Sequence, residues 1–305
     1  MLTAQDRYTK ITDTIHKLYP AELFTRHGIA HPVTFYDPAP EQVQNVDSVL
    51  GREPGINVMQ DEMAFYNHAY LQTLQNSGRN LFNGTTFALT TLRQKPLRIE
   101  AGFGKYFDMI ATCAALDHEL LDAVQGKLIR LPMRTQYHRS ISPEEALRSG
   151  NGRSAALGGV VLTVFNDAGT YRLMLAKRSG TQATRPNNFH MLPAFMFQPA
   201  GSIMQAGEWS LRHHILREIL EEMFGMEESE NTDFYAQPAL LDLQQMLDNG
   251  EAGLYLTGIA MNLMTLRPEI TALLLIQDAE WWPRVTAPDH PTPFMLNEEN
   301  DGNVL

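Results

Sequence analysis

Three glutamates follow an arginine in the run Arg217-Glu218-Ile219-Leu220-Glu221-Glu222. On a helix, 100° per residue places His214, Arg217, Glu218, Glu221 and Glu222 in one arc. Ile215, Leu216, Ile219, Leu220, Met223 and Phe224 fall in the opposite arc. Carboxylates at i, i+3 and i+4 are close enough to share one hard cation, and Mg²⁺ or Mn²⁺ takes oxygen ligands of this kind. The competing reading is a solvated acidic face. Such faces usually alternate acids with lysines four residues apart, and this run has no lysine. Charge is concentrated in the same region: residues 218–266 hold ten acids and no Lys or Arg, in a chain of net charge −11. That balance argues against binding polymeric nucleic acid through its backbone, which needs a basic surface.

The elements that would position these side chains follow from local patterns. A helix is expected over about 208–224, closed by Gly225 as its C-cap, with its apolar arc docked on a sheet. Before it, Gly158 to Phe165 reads as a strand, Asp167-Ala168-Gly169 as a turn and Tyr171 to Lys177 as a second strand. Phe189 to Gln198 reads as a third extended segment, and Leu254 to Leu266 and Glu269 to Gln277 as further strands. In the first half, helices are expected over 3–18, 60–75 and 105–124. His31 to Gln42, with three prolines, reads as extended loop. Strands are expected over 81–92, with a turn at Asn83-Gly84, and 97–103. Ser142-Pro143-Glu144-Glu145 looks like a short capped helix, and Ser149 to Gly152 a joint. The organisation expected is an N-terminal α+β extension and linker over 1–150, a domain over 151–285, and a polar, proline-containing tail over 286–305.

Arg217 to Glu222 resembles the R-E-U-x-E-E heart of the Nudix box, G-x5-E-x7-R-E-U-x-E-E-x-G-U, where U is a bulky apolar residue. Pro199-Ala200-Gly201 and Gly207-Glu208 resemble its upstream parts. The likeness covers roughly Ala155 to Trp282. Each spacing here is one residue longer: six residues lie between Gly201 and Glu208, eight between Glu208 and Arg217, and two between Glu222 and Gly225. A second alignment starts the loop at Pro193-Ala194-Phe195. The resemblance implies an α/β fold, a Nudix-type α/β/α sandwich with a mixed sheet. It implies that Glu218 and Glu222 ligate Mg²⁺ or Mn²⁺, joined by Glu221 and Glu208. Glu221 would act as base and Arg217 would orient the glutamates. The activity implied is hydrolysis of a small-molecule nucleoside diphosphate derivative, such as a nucleotide sugar or ADP-ribose. The alternative is a Nudix-like module that binds such a metabolite without turning it over. Thr86 to Thr112, with Tyr106, faintly resembles the extension of nucleoside-diphosphate-sugar hydrolases in this superfamily.

Lys177, Arg178 and Arg185 are the nearest basic residues before the box, and are candidates for contact with the phosphates as well as ordinary surface charges. His190 suits a structural role better than substrate contact, and Trp281-Trp282 suits packing. His213 and His214 are adjacent, so on a helix they diverge. There is no G-x-S-x-G for a serine hydrolase. A composition of 44% apolar and 19% charged residues supports a sizeable core and excludes wholesale disorder. No apolar run approaches the roughly 20 residues of a membrane span. Cys113 is the only cysteine, which excludes an internal disulfide or a cysteine-built zinc site. With no signal-like start, a cytoplasmic setting is expected. A homodimer is an open alternative to a monomer.

Overall fold

The computed structural model describes residues 3–19, 22–55, 57–58, 62–78, 81–179, 188–201, 204, 207–226, 234–297 and 300–301. Thr3 starts helix α1 (Ala4–Leu18) in a capping box with Asp6, and the helix buries Ile11 and Ile15. A ribbon of β1 (Thr25–Arg26) and β2 (Ile29–Ala30) leads to β3 (Val33–Tyr36). Loop was expected across this proline-rich stretch. The strand forms because Pro32 and Pro38 flank it rather than interrupt it, and because it lies at a sheet edge. Helix α2 (His68–Gln75) starts later than expected, where the Asn67 side chain accepts the Tyr70 amide at 3.0 Å.

Strands β4 (Thr85–Gln94) and β5 (Leu97–Lys105) form an antiparallel hairpin. Asn83-Gly84 lies just before it, not within it. Asn83 Oδ1 accepts the Phe107 amide and the Gly84 carbonyl accepts the Tyr106 amide, so these two residues form no turn but help to start the next helix. That helix is α3 (Tyr106–Met109), continued through a π turn at Ile110–Ala114 into α4 (Ala115–Val124). Helix α5 (Pro132–Tyr137) was not foreseen. Helix α6 (Pro143–Ala146) begins, as expected, at the Ser142 cap.

The second half opens with β6 (Gly158–Asp167) and β7 (Thr170–Leu173). The strand expected over 171–177 is divided at the buried Met174, after which β8 (Leu175–Arg178) joins a different sheet. The segment 189–198 is likewise divided, into β9 (Phe189–Met191) and β10 (Ala194–Met196). Pro193, which has no N–H to donate, stands at the break. Helix α7 (Leu211–Phe224) precedes α8 (Pro238–Asn249), β11 (Ala252–Asn262), β12 (Arg267–Ile276), α9 (Trp281–Val285) and β13 (Asn300–Asp301).

The class is mixed α/β. The main sheet runs β10–β6–β12–β11–β3, with β7 also paired to β6, and its one parallel pairing among the described residues is β12 with β6. A small sheet runs β13–β8–β9. Both halves of the chain build one interior. Strand β3 extends the main sheet, the Phe87 amide donates to the Phe197 carbonyl, and the Leu89 amide donates to Ala155. Phe87, Leu89, Ile110, Phe197, Ile215 and Ile270 belong to one buried cluster. The tail beyond 285 packs as well. Phe294 meets Trp282 and Phe224, and Asn300 and Asp301 pair with Arg178 and Lys177. No helix among the described residues is long and apolar enough to cross a membrane.

Candidate functional site

Helix α7 begins at Leu211, three residues later than expected, because Ser210 takes the N-cap position. Its Oγ accepts the His213 amide at 3.1 Å, and a serine there competes well with continued helix. Glu208 and Trp209 therefore sit in the preceding loop. At the other end Gly225 adopts φ +60° and closes the helix as expected. A Cβ at Gly225 would also come within 2.6 Å of the Met295 side chain.

The apolar arc is buried as expected, and the helix as a whole neighbours β6, α8 and the turn Val46–Val49. The polar arc departs from expectation, since it is covered as well. His214, Arg217, Glu218 and Glu222 are all buried, and Glu221 is half-buried. Eleven of the helix's 14 residues are buried in all. Amphipathic patterning reports which face is apolar, but it does not report whether a loop folds over the other one.

The cover is the segment 193–201. Glu222 Oε2 accepts the Ala194 amide at 3.1 Å, and Glu208 Oε1 accepts the Ala200 amide at 2.7 Å. Arg217 donates from Nη2 to Glu218 Oε1 at 3.1 Å and to the Gln198 carbonyl at 3.4 Å. The carboxylates thus hold the loop by charge-assisted bonds to its backbone amides, and Arg217 ties Glu218 to the same loop. Glycine at 159 permits this arrangement, because a Cβ there would meet the Phe195 ring at 2.3 Å.

His214 completes the floor. Its Nε2 donates to the Glu208 carbonyl at 2.8 Å, and its ring lies edge-on to Phe197 and stacked on Phe195. Burial, reinforced by the Arg217 charge, holds its pKa well below the ordinary 6.5, so the ring is neutral. His213 bonds the Tyr235 hydroxyl through Nδ1 at 3.0 Å, but the expected divergence is incomplete, since its ring also lies edge-on to that of His214 with centroids 5.5 Å apart.

Residues from the first half of the chain meet the start of α7, and nothing in the sequence had marked them. Asp47 Oδ1 accepts the amides of Leu211 at 2.5 Å and Arg212 at 3.2 Å, and its Oδ2 accepts the Ser210 hydroxyl at 3.0 Å. Trp209 Nε1 donates to the Gly51 carbonyl at 3.1 Å, and its ring stacks on Phe197. These contacts cross more than 150 residues of sequence, where no local period or spacing applies.

Lys177 and Arg178 lie on β8, beside β13. Arg185 falls outside the described residues. His190 bonds Asn300 through Nε2 at 2.6 Å, and Trp281 and Trp282 pack against Phe165, so these residues make the packing contacts expected of them.

The donor chemistry suits a hard cation, since Glu208, Glu218, Glu221 and Glu222 offer only carboxylate oxygens. In their present positions they are not gathered around one point: among the described residues no group of three or more His, Cys, Asp or Glu side chains could hold a metal ion. Loading a metal would require carboxylates to turn from the loop amides they now hold. Compared with known proteins, the chain matches no family model, and no curated sequence matches it significantly.

Proposed function

We propose that the chain is a Nudix-type, divalent-metal-dependent hydrolase of a nucleoside diphosphate linked to another moiety, such as a nucleotide sugar or ADP-ribose. The observation that carries the reading is the run Arg217 to Glu222 on one helix, with the Arg217 guanidinium bonded to Glu218 and the amides of Ala194 and Ala200 donating to Glu222 and Glu208. Glu218 and Glu222, four residues apart, would hold Mg²⁺ or Mn²⁺, with Glu221 and Glu208 completing the set. Such an ion supplies an activated water and neutralises phosphate charge. Glu221 is the least buried of these carboxylates, which suits the role of accepting a proton at its carboxyl oxygen. Arg217 orients Glu218. Lys177, Arg178 and Arg185 are the candidates for phosphate contact. A cytoplasmic, reducing setting agrees with the free, buried Cys113, and the acidic net charge agrees with a small-molecule rather than a nucleic-acid partner. The assembly would be a monomer or a homodimer.

A second reading, a module that binds the metabolite without cleaving it, is favoured by one observation. Glu208, Glu218 and Glu222 already accept bonds from the chain's own donors.

A panel of nucleoside diphosphate derivatives with Mg²⁺ or Mn²⁺, read by product mass in ¹⁸O-water, separates the two readings. The hydrolase reading expects label on one product phosphate, and label in a sugar would remove it. Glu221→Gln should lower kcat by roughly 10²–10⁴ with a smaller effect on KM. Glu222→Gln should weaken metal affinity measured by calorimetry, and equal affinities in variant and wild type would refute the ligand assignment. Metal-dependent binding of a nucleotide without turnover would establish the sensor.

A further inference from the structure

We infer that Asp47 is a positioning residue for the carboxylate helix, and that the N-terminal half of the chain sets the geometry of the site through it. A helix presents its first amides without intrahelical partners. In α7 those groups are divided between two caps. Ser210 Oγ takes the His213 amide, while Asp47, which is 163 residues from Ser210, takes Leu211 and Arg212 with one oxygen and the Ser210 hydroxyl with the other. The negative charge also stands at the positive end of the helix dipole.

Three contacts to one rigid side chain do more than satisfy donors. Two successive amides aimed at one oxygen define the rotation of the helix about its axis, and the Ser210 hydroxyl on the second oxygen fixes its axial position. Asp47 is itself held. Its amide donates to Asn45 Oδ1 at 3.1 Å, and its neighbours Val46 and Val49 are buried. Four residues on, Gly51 accepts the Trp209 indole. Glu218 stands seven residues beyond Leu211, about 10 Å along a stiff helix. A rotation at the cap therefore appears undiminished at Glu218, Glu221 and Glu222, and changes how Glu222 meets the amide of 194.

The inference uses the proposed metal site for its first readout and is independent of it in the second. Mn²⁺ binding to the full-length chain is titrated by electron paramagnetic resonance for wild type, Asp47→Ala and Asp47→Asn. Asp47→Ala should bind about 10-fold or more weakly, as loss of supporting partners around a metal site does. Asp47→Asn keeps a carbonyl oxygen for both amides, and its Nδ2 can donate to the Ser210 Oγ in place of the hydroxyl bond that Asp47 accepts, so it should remain nearer to wild type than Asp47→Ala. Wild-type affinity in Asp47→Ala would overturn the inference. Hydrogen–deuterium exchange is followed on the same proteins. Asp47→Ala should exchange faster across 211–224 than across β6, β11 and β12, and an unchanged or uniform pattern would overturn the inference. If the wild-type chain takes up no Mn²⁺, the metal reading fails and the exchange result alone decides the role of Asp47. Asp47→Ser, whose single hydroxyl cannot reach both amides, replaces Asp47→Ala if that variant does not fold, with the same outcomes.

Discussion

His214 shows how one side chain couples the carboxylate helix to pH. Its neutral ring donates to the Glu208 carbonyl inside an aromatic cage, and burial keeps its pKa well below 6.5. The unfolded chain therefore binds this proton first as pH falls. The stability that His214 contributes is fully present above pH 6.5 and declines below it, by at most about 1.4 kcal/mol per pH unit. Burial lowers His213 and His138 in the same direction, so part of the slope belongs to them. Urea unfolding between pH 7.5 and 5 should give a shallower slope for His214→Gln, whose side-chain amide can replace the Nε2–H donor. Identical slopes in the two proteins would mean that the ring titrates normally in the fold.

At the scale of the element, α7 is a buried helix with two differently covered faces. Ile219 is 2% exposed, on the apolar face of a helix that neighbours β6 and α8. Ile219→Ala should cost roughly 2–5 kcal/mol, since the site is too enclosed to collapse around the lost atoms. Denaturant unfolding measures this directly, and a loss below about 0.5 kcal/mol, the range of surface changes, would place Ile219 on the wrong face. The polar face is joined to the segment 193–201 by single hydrogen bonds, from the Ala194 amide to Glu222 and from Arg217 to the Gln198 carbonyl, each of modest net worth. Its cover is therefore the easier of the two to open, which is what a metal or a phosphate group would require.

At the scale of the whole molecule, two buried arginines join the halves of the chain. Arg153 donates from Nε and Nη2 to the Leu266 carbonyl at 3.1 and 3.0 Å, from Nη2 to Ala146 at 2.8 Å, and from Nη1 to the Tyr137 hydroxyl. Arg134 bonds the Met264 carbonyl and the Tyr19 hydroxyl. Both thus grip the β11–β12 turn, where Leu266 holds a left-handed φ of 56°. The hydroxyl of Tyr137, pushed up to about 12 chiefly by burial, stays protonated and donates to Asn151. Arg153→Lys keeps the charge but cannot reproduce the fork, and should lower stability by about 3 kcal/mol. A change under about 1 kcal/mol in urea unfolding would show that a lysine satisfies the same carbonyls.

The sequence by itself determined what is local. The helix over 3–18 was legible as α1, Gly225 marks the end of α7, and the apolar, β-branched run of residues 158–165 marks β6. The clustering of Glu218, Glu221 and Glu222 on one helix face needs only the helical period. The start of α7 was missed by three residues because a serine cap outweighed the acidic residue read as the helix start. Only the tertiary structure decided that the acidic face lies under a loop, that β3 completes the main sheet, and that Asp47 caps a helix more than 160 residues away. Those features depend on pairings between distant segments. A carboxylate that will meet a remote amide has the same local sequence signature as one that will meet water.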